Sequence, residues 1–311
     1  MMTSFAVLFL SIAIMESMAG ILGNGIILAA SSSSCTGRKT WPSYDMIMIS
    51  LSLSRITLQC WIILDLFLTI FCEPSYFEEN LFGIIKTVYM FLNYANLWFG
   101  AWLSVFYCIK VASFTHSFFI WLKQRIARGM PWMLFTSWLC SFTAAIPFAW
   151  EVYSVHNNFT APLPVTNSSA MRTTRKDNLD LLILLSNAGV GMPLILSVVS
   201  SVLLIWSLWI HTRRMQNNAS GFRDPSLEAH MKAIKSVCSL LILYIIYFIG
   251  FAFLLYDLFL RFSTPKSICI AIMAASPTGH SIVVIWSNPK FRELTARIWH
   301  YTKCPVETRS M

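Results

Sequence analysis

The sequence predicts an all-α membrane protein in which seven helices cross the bilayer. Three observations predict this class: the composition, the length of the apolar runs and the placement of the basic residues. Of the 311 residues, 56% are hydrophobic and 12% are charged, about half the charged share of an ordinary globular protein. The mean hydropathy is +0.63. So few charges cannot cover a soluble surface, which excludes a soluble domain, a coiled coil and a disordered chain.

Seven apolar runs are long enough to span a membrane. A bilayer core about 30 Å thick requires roughly 20 apolar helical residues, and a helix satisfies its own backbone hydrogen bonds in lipid. The chain is therefore predicted to form one domain over residues 1–311. The predicted spans are residues 5–30, 46–71, 87–109, 131–150, 181–210, 236–256 and 267–288. A shorter apolar run at 111–122 is predicted to be an interfacial or loop helix.

The first two spans contain charged residues. Glu16 interrupts the first span, which lacks a basic leading region and is too long for a cleaved signal. Arg55 and Asp65 lie in the second span. An ionisable side chain at the centre of a bilayer costs about 2.5–3.5 kcal/mol on insertion scales, so Arg55 must face the bundle and have partners there.

The later spans contain prolines but no charged residues. The third, fourth and fifth spans carry no charge; Pro147 lies late in the fourth and Pro193 in the fifth. Pro277 lies in the seventh span, and each proline removes a backbone hydrogen bond and can kink its helix. Residues 289–301 follow the last span and are predicted to form a short amphipathic cytoplasmic helix.

The basic residues predict the orientation. Sixteen of the 23 Lys and Arg residues lie in the loops after spans 1, 3 and 5 or in the tail. Because basic loops stay in the cytoplasm, the N-terminus is predicted to be outside and the C-terminus cytoplasmic. The net charge of +9 is then a topological signal with some attraction to anionic lipid, and a nucleic-acid partner is excluded.

Sequons and cysteines agree with this topology. Asn158 and Asn167 begin N-x-Ser/Thr sites in the loop after span 4, which is predicted to be external, so both are candidate glycosylation sites. Asn218 begins a third sequon in the basic loop after span 5 and is expected to stay unmodified. None of the 8 cysteines lies in residues 151–180, and their spacing suggests no metal or other cofactor. Cys304 is either palmitoylated or a free thiol.

Polar residues of spans 1, 2 and 7 predict an interhelical polar clamp. Glu16, Gly20 and Asn24 recur every fourth residue and share one helical face. We expect Asn24 and Arg55 to meet polar groups of the seventh helix, with Ser281 and Asn288 as candidates. The group is either a static clamp or a switch that rearranges on activation.

Span 3 carries a polar and aromatic stripe. Its spacing of 4, 3, 4, 3, 4 and 3 residues follows one helical face. The stripe consists of Tyr89, Asn93, Asn96, Gly100, Leu103, Tyr107 and Lys110. It is either the interior face of a bundle or a ligand-contacting surface, and because interhelical hydrogen bonds in membranes average only about 0.6 kcal/mol, we predict ligand contact at the asparagines.

Six motifs in order resemble the type 2, or bitter, taste receptors along nearly the whole chain. This family belongs to the G-protein-coupled receptors, with which the seven spans, the external N-terminus and the basic third cytoplasmic loop also agree. The motifs are Glu16-x3-Gly20-x3-Asn24, the LSLSR run ending at Arg55, an FYxxK element at 106–110, HSFFIWLK at 116–123, NASGFRDPS at 218–226, and His280-Ser281 followed by Asn288-Pro289-Lys290.

The resemblance implies a multi-pass plasma-membrane receptor for small bitter compounds, coupled to a gustducin-like heterotrimeric G protein. It implies a pocket between helices 3, 5, 6 and 7 near the extracellular side, lined by Tyr89, Asn93 and Tyr247. A site that is acidic in some relatives corresponds to Ile270, which favours neutral or apolar agonists. The family also lacks the external disulfide of rhodopsin-like receptors.

The same resemblance predicts the signalling surface. Opening the cytoplasmic ends of helices 5 and 6 is expected to expose a polar rim to the G protein, with Arg55 as part of the switch. The rim consists of Tyr107, Lys110, His211, His230 and Lys235. The alternative is that these basic groups serve topology and lipid attraction alone.

Three other functions are alternatives for a protein with several membrane spans. A small-molecule transporter would show internal repeats and midplane acids on broken helices, and no repeat is visible. An intramembrane enzyme would need a nucleophile–base set or a motif such as HExxH, which is absent from the sequence, so the protein is not expected to be an enzyme. A pheromone-type (vomeronasal-like) chemosensory receptor is the nearer alternative.

Overall fold

The computed structural model describes residues 4–72, 81–111, 117–160, 189–210, 213, 225–256 and 264–303. These ranges form eight helices, and the all-α class predicted from the sequence is confirmed. The helices are α1 Ser4–Cys35, α2 Ser43–Phe71, α3 Leu81–Val111, α4 Ser117–Thr160, α5 Gly189–Ile210, α6 Pro225–Tyr256, α7 Thr264–Ser287 and α8 Pro289–Lys303.

The helices overlap all seven predicted spans, and most extend beyond them. The prediction of a separate short helix over 111–122 is wrong, because Val111 ends α3 and residues 117–122 belong to the first turns of α4. An apolar run marks what lipid can cover, whereas the backbone helix continues through Lys123, Arg125 and Arg128, which are good helix formers.

Two helix boundaries follow from local sequence. Gly37, two residues after α1, has φ 77°, a left-handed conformation that glycine adopts at little cost and that stops a helix. Between α7 and α8, the Oδ1 of Asn288 accepts the backbone N–H of Lys290 at 3.1 Å. Asn288 therefore caps α8, with Pro289 at the first helical position, where its missing N–H costs nothing.

Helix α3 lies at the centre of the bundle. It packs against α2 and α4, while α1 packs against α2 and α7, α6 against α7, and α8 against α7 and α1. One buried cluster surrounds Tyr94, Leu97 and Phe251, and a second extends towards Phe291 of α8. Residues of α3 belong to both clusters. We refer below to the α8 end and the opposite end of the bundle.

The outer surface of the bundle is apolar. On α4, large apolar side chains spaced by three or four residues are exposed, with Trp132 at 71% and Phe142 at 58%. On α5, Met192, Ile195 and Val199 form a similar row. Such extended apolar faces require lipid as solvent. Four of the described helical segments are by themselves long and apolar enough to cross a membrane: Val7–Cys35, Ser43–Phe71, Gly189–Ile210 and Pro265–Ser287.

Candidate functional site

Polar side chains of the α3 stripe point into the centre of the bundle and meet residues from α2, α6 and α7. Asn93 is fully buried, and its Oδ1 accepts a hydrogen bond from the Tyr247 hydroxyl of α6. The Asn93 amide nitrogen donates to the Tyr89 carbonyl at 2.6 Å. Both hydrogen-bonding ends of this amide are therefore engaged within the protein.

Four of the five residues predicted to bind ligand converge at this point. Tyr89 and Tyr247 belong to one buried cluster, against which Ile270 of α7 packs. The Tyr89 hydroxyl lies 3.8 Å from the sulfur of Met273. The group thus offers an amide and two phenols within apolar walls, the usual composition of a small-molecule site. Its members are mutually paired in this structure, so a ligand would have to replace those contacts.

Asn96, the fifth predicted ligand residue, is instead a partner of Arg55. Its Oδ1 accepts a hydrogen bond from Arg55 Nε at 3.0 Å. Arg55 also places Nη1 2.6 Å from His280 Nδ1 on α7. Arg55 therefore links α2, α3 and α7, and it is 6% exposed.

The contact with Arg55 determines the proton position on His280. A guanidinium group has donors and no acceptor. Nδ1 of His280 must then be the acceptor in this 2.6 Å contact, which leaves the imidazole neutral with its proton on Nε2. The partner of Arg55 on α7 is His280, in place of the Ser281 and Asn288 expected from the sequence.

A three-helix tie joins α1, α2 and α7, but through other side chains than the sequence suggested. Gln59 Nε2 donates to Thr278 Oγ1 at 3.3 Å. Thr278 Oγ1 in turn donates to the Glu16 backbone carbonyl at 2.7 Å. Asn24 donates to the Gly20 carbonyl of its own helix at 2.8 Å. Glu16 thus takes part through its backbone oxygen.

Ser281 contributes to the same interface by packing. Its hydroxyl donates to the Thr278 carbonyl at 2.8 Å. A Cβ placed on Gly23 would lie 2.5 Å from Ser281 Oγ. Glycine at this position therefore allows α1 and α7 to approach closely, which is a common device in membrane helix pairs.

Tyr107 belongs to a polar cluster at the α8 end. Its hydroxyl lies 3.4 Å from the Tyr44 hydroxyl of α2, and Asn288 Nδ2 lies 3.4 Å from the same Tyr44 oxygen. Lys290 at the start of α8 forms a 2.6 Å ion pair with Asp45 of α2. This cluster joins α2, α3 and α8 next to Lys110, which is exposed in the last turn of α3.

Several predicted residues lie beyond what the structure describes. His211 and Asn167 fall outside the described residues. His230 and Lys235 are described as parts of the α6 helix, and Asn158 as part of α4, by backbone alone. Their predicted roles at the G-protein surface and as glycosylation sites therefore stay predictions.

Sequence reasoning did not single out His280, Gln59, Tyr44 or Asp45 as site residues. One signal could have identified His280 and Gln59: each is a polar residue inside an otherwise apolar span, and such residues are functional candidates by default. No comparable signal marks Tyr44 and Asp45, which lie at the start of α2, where polar residues are ordinary.

The comparisons with known proteins identify the family. A model of the taste receptor protein family (TAS2R) matches residues 1–303. The chain is 58% identical to the taste receptor type 2 member 40 of Gallus gallus over 309 residues, covering 99% of each protein. It is 36% identical to the taste receptor type 2 member 39 of Pan troglodytes over 291 residues, covering 94% of this chain and 86% of that receptor.

The chain belongs to the type 2 taste receptor family. The resemblance found from the motifs is thereby confirmed. The protein is a multi-pass membrane receptor and not an enzyme. These matches favour the taste receptor interpretation over the pheromone-type receptor and the transporter.

None of the seven cysteines in the described part of the chain forms a disulfide, including Cys72 just after α2 and Cys108 in α3. At the opposite end of the bundle, two polar contacts join α2 to α3. Lys86 forms a 2.6 Å ion pair with Asp65, and Trp61 Nε1 donates to the Ile85 carbonyl at 2.9 Å.

Proposed function

We propose that the protein is a bitter taste receptor of the plasma membrane that binds small bitter compounds between α3, α6 and α7 and activates a gustducin-like heterotrimeric G protein. One observation carries the proposal: the polar contact between Asn93 and Tyr247 within a buried apolar cluster. Packing alone gains little from such a contact in a membrane. A ligand gains apolar burial together with an amide and a phenol that fix its orientation.

The proposed ligand site consists of Tyr89, Asn93, Tyr247 and Ile270, with Asn96 one helical turn deeper. The agonist competes for the Asn93 amide, which Tyr247 and the Tyr89 carbonyl occupy in this structure. It shifts the receptor towards the active arrangement only by as much as it binds that arrangement better. Because Ile270 carries no charge, neutral and apolar agonists are favoured.

Asn96 provides the route from the ligand site to the switch. It lies three residues after Asn93, on the same face of α3, and its Oδ1 accepts a hydrogen bond from Arg55. A movement of α3 that follows the ligand changes this bond and, through Arg55, the contact with His280 on α7. The polar group of Arg55, Asn96 and His280 acts here as a switch, and the Gln59–Thr278 tie acts as a clamp.

The G protein binds at the α8 end, which the proposal places in the cytoplasm. Tyr107 and Lys110 lie at that end of α3, and the proposal assigns the basic residues His211, His230 and Lys235 to the same G-protein surface. In this structure Tyr107, Tyr44 and Asn288 are close together. Activation separates the ends of α5 and α6 from α3 and opens this polar rim to the G protein.

A calcium-release screen tests the proposal. Cells that co-express the receptor and a chimeric gustducin-type G protein are exposed to a panel of bitter compounds. At least one compound is expected to raise intracellular calcium in these cells and not in cells that lack the receptor. If no compound acts although the receptor is detected at the cell surface, and the Gallus gallus relative responds in parallel, the proposed function is wrong.

A further inference from the structure

A small cavity lies inside the bundle between α2, α3, α5, α6 and α7. About 30 Å³ of it is open to the centre of a water molecule, which is room for one or two small species. Seven of its lining residues carry polar or charged side chains: Arg55, Ser104, Tyr107, Ser197, Ser201, Tyr244 and His280.

The charge on this cavity wall is not balanced by a carboxylate of the described residues. The described partners of Arg55 are the neutral amide of Asn96 and the neutral imidazole of His280. Asp65 pairs with Lys86, and Asp45 pairs with Lys290. An arginine that is 6% exposed thus keeps a positive charge at the depth of the hydrocarbon core.

A buried charge without a counter-charge is strongly unfavourable. Loss of a proton does not relieve it here, because arginine stays protonated in proteins. Two ways of compensating the charge of Arg55 remain: a water molecule in the cavity or an anion in the cavity. A water molecule screens the charge only partly, whereas an anion neutralises it and also accepts hydrogen bonds from neighbouring hydroxyl groups.

The other lining groups favour an anion. The Ser104 hydroxyl donates to the Gly100 carbonyl of its own helix at 3.3 Å. The Ser197 hydroxyl lies 3.1 Å from Ser104 Oγ, so its proton can turn from Ser104 towards an anion in the cavity. Ser201 supplies another hydroxyl to the wall, and His280 retains an Nε2 proton. Tyr244 is already engaged, because its hydroxyl donates to the Leu97 carbonyl at 2.9 Å.

We propose that this cavity binds a small monovalent anion of the size of chloride as the counter-ion of Arg55. The hydroxyl groups of Ser197 and Ser201 and the guanidinium of Arg55 are its ligands. The anion stabilises the resting packing of α2, α3 and α7, since Arg55 joins these helices. The site is separate from the proposed bitter-compound site, and its existence does not depend on which agonists the receptor recognises.

The test uses the full-length receptor, purified in lipid nanodiscs, with chloride exchanged for gluconate at constant ionic strength. Tryptophan fluorescence follows thermal unfolding. The Tm is expected to rise by about 3–5 °C with chloride and to saturate, as binding to the folded state requires. An equal Tm in chloride and gluconate would mean that water alone fills the cavity and would overturn the proposal.

A pair of variants locates the effect. Ser201→Asp supplies a carboxylate to the cavity wall, so the chloride-dependent rise in Tm is expected to disappear. Ser201→Asn has a similar volume without the charge and is expected to keep most of the rise. Chloride dependence that persists in Ser201→Asp would place the anion elsewhere and contradict the assignment.

A measurement on the unmodified receptor covers the case in which Ser201→Asp does not fold. The ³⁵Cl nuclear magnetic resonance line of the buffer is expected to broaden in proportion to receptor concentration and to sharpen when bromide is added. A line width that the receptor leaves unchanged would contradict anion binding irrespective of the variants.

Discussion

Asn93 illustrates how a single residue serves both packing and recognition. Its amide oxygen accepts from Tyr247, and its amide nitrogen donates to the Tyr89 carbonyl. The bond from Tyr247 joins two membrane helices and is worth on the order of 0.6 kcal/mol, which is small beside the apolar burial around it, and the bond to Tyr89 lies within α3. These bonds can therefore be exchanged for bonds to a ligand at little cost.

Removing this amide tests the ligand site. Asn93→Ala is expected to raise the agonist EC50 about tenfold, because one hydrogen bond in a dry site is worth roughly 1–1.5 kcal/mol. Calcium release in transfected cells measures the change, with surface staining to show equal expression. Ser141→Ala on α4, where the serine hydroxyl donates to its own helix, is the control and should leave the EC50 unchanged. Equal EC50 values for Asn93→Ala and the unmodified receptor would remove Asn93 from the site.

Ile270 tests the charge preference of the site. Ile270→Glu places a carboxylate beside Tyr89 and Tyr247 and is expected to extend the response to alkaloid-like amines, with EC50 values lowered about tenfold. Ile270→Gln has the same shape without the charge and should not respond to the amines in this way. The same agonist spectrum in Ile270→Glu and the unmodified receptor would count against the placement of Ile270.

The sequence predicted some of these residues and missed others for a physical reason. Arg55 was visible because a charge within an apolar span must be compensated, and the α3 stripe was visible because its spacing follows a helical face. The hydrogen-bond partners of these residues could not be predicted, because Ser281 and Asn288 were as plausible as His280 as partners of Arg55. Side-chain pairing between helices depends on their relative rotation and height, which residue spacing within one helix does not contain.

At the scale of elements, α1 and α7 pack closely because two glycines face the partner helix. Side chains of Gln59 and Thr278 occupy the space next to Gly20, and Ser281 occupies that next to Gly23. Gly25, two residues further, has nothing within 4 Å of the position that a Cβ would take. On α1, Gly23 therefore has no room for a side chain, whereas Gly25 has.

Alanine substitutions at Gly23 and Gly25 are predicted to change the stability of the receptor in different directions. Gly23→Ala is expected to destabilise the receptor by about 1–3 kcal/mol, because the methyl group would overlap Ser281. Gly25→Ala should be neutral or stabilising by up to about 1 kcal/mol, as alanine loses less conformational entropy in a helix. Thermal unfolding of the two purified variants measures the difference. A higher Tm for Gly23→Ala than for Gly25→Ala would contradict the α1–α7 packing described above.

The ends of the elements were harder to predict than their existence. Each of the seven apolar runs overlaps a described helix, yet α4 begins at Ser117, well before the predicted residue 131, and α6 begins at Pro225. Hydropathy reports which residues lipid can cover, whereas a helix continues for as long as its backbone is satisfied. The basic residues in the first turns of α4 favour helix formation and also contact with water. They therefore extend the helix without extending the apolar run.

At the scale of the whole molecule, the orientation of the bundle rests on the basic loops. The proposal places the α8 end in the cytoplasm, which predicts glycans on Asn158 or Asn167 and none on Asn218. Enzymatic deglycosylation of single Asn→Gln variants, read as a shift in electrophoretic mobility, measures this. A glycan on Asn218 would invert the topology and with it the assignment of ligand and G-protein ends.

The central claim is that this one chain converts the binding of a bitter compound between α3, α6 and α7 into G-protein activation at the α8 end. The most direct measurement is nucleotide exchange on a purified gustducin-type heterotrimer by the receptor in lipid nanodiscs. We expect an agonist from the cellular screen to accelerate exchange, and Asn93→Ala to require about ten times more agonist for the same rate. An agonist that leaves the exchange rate at its unliganded value would contradict the account.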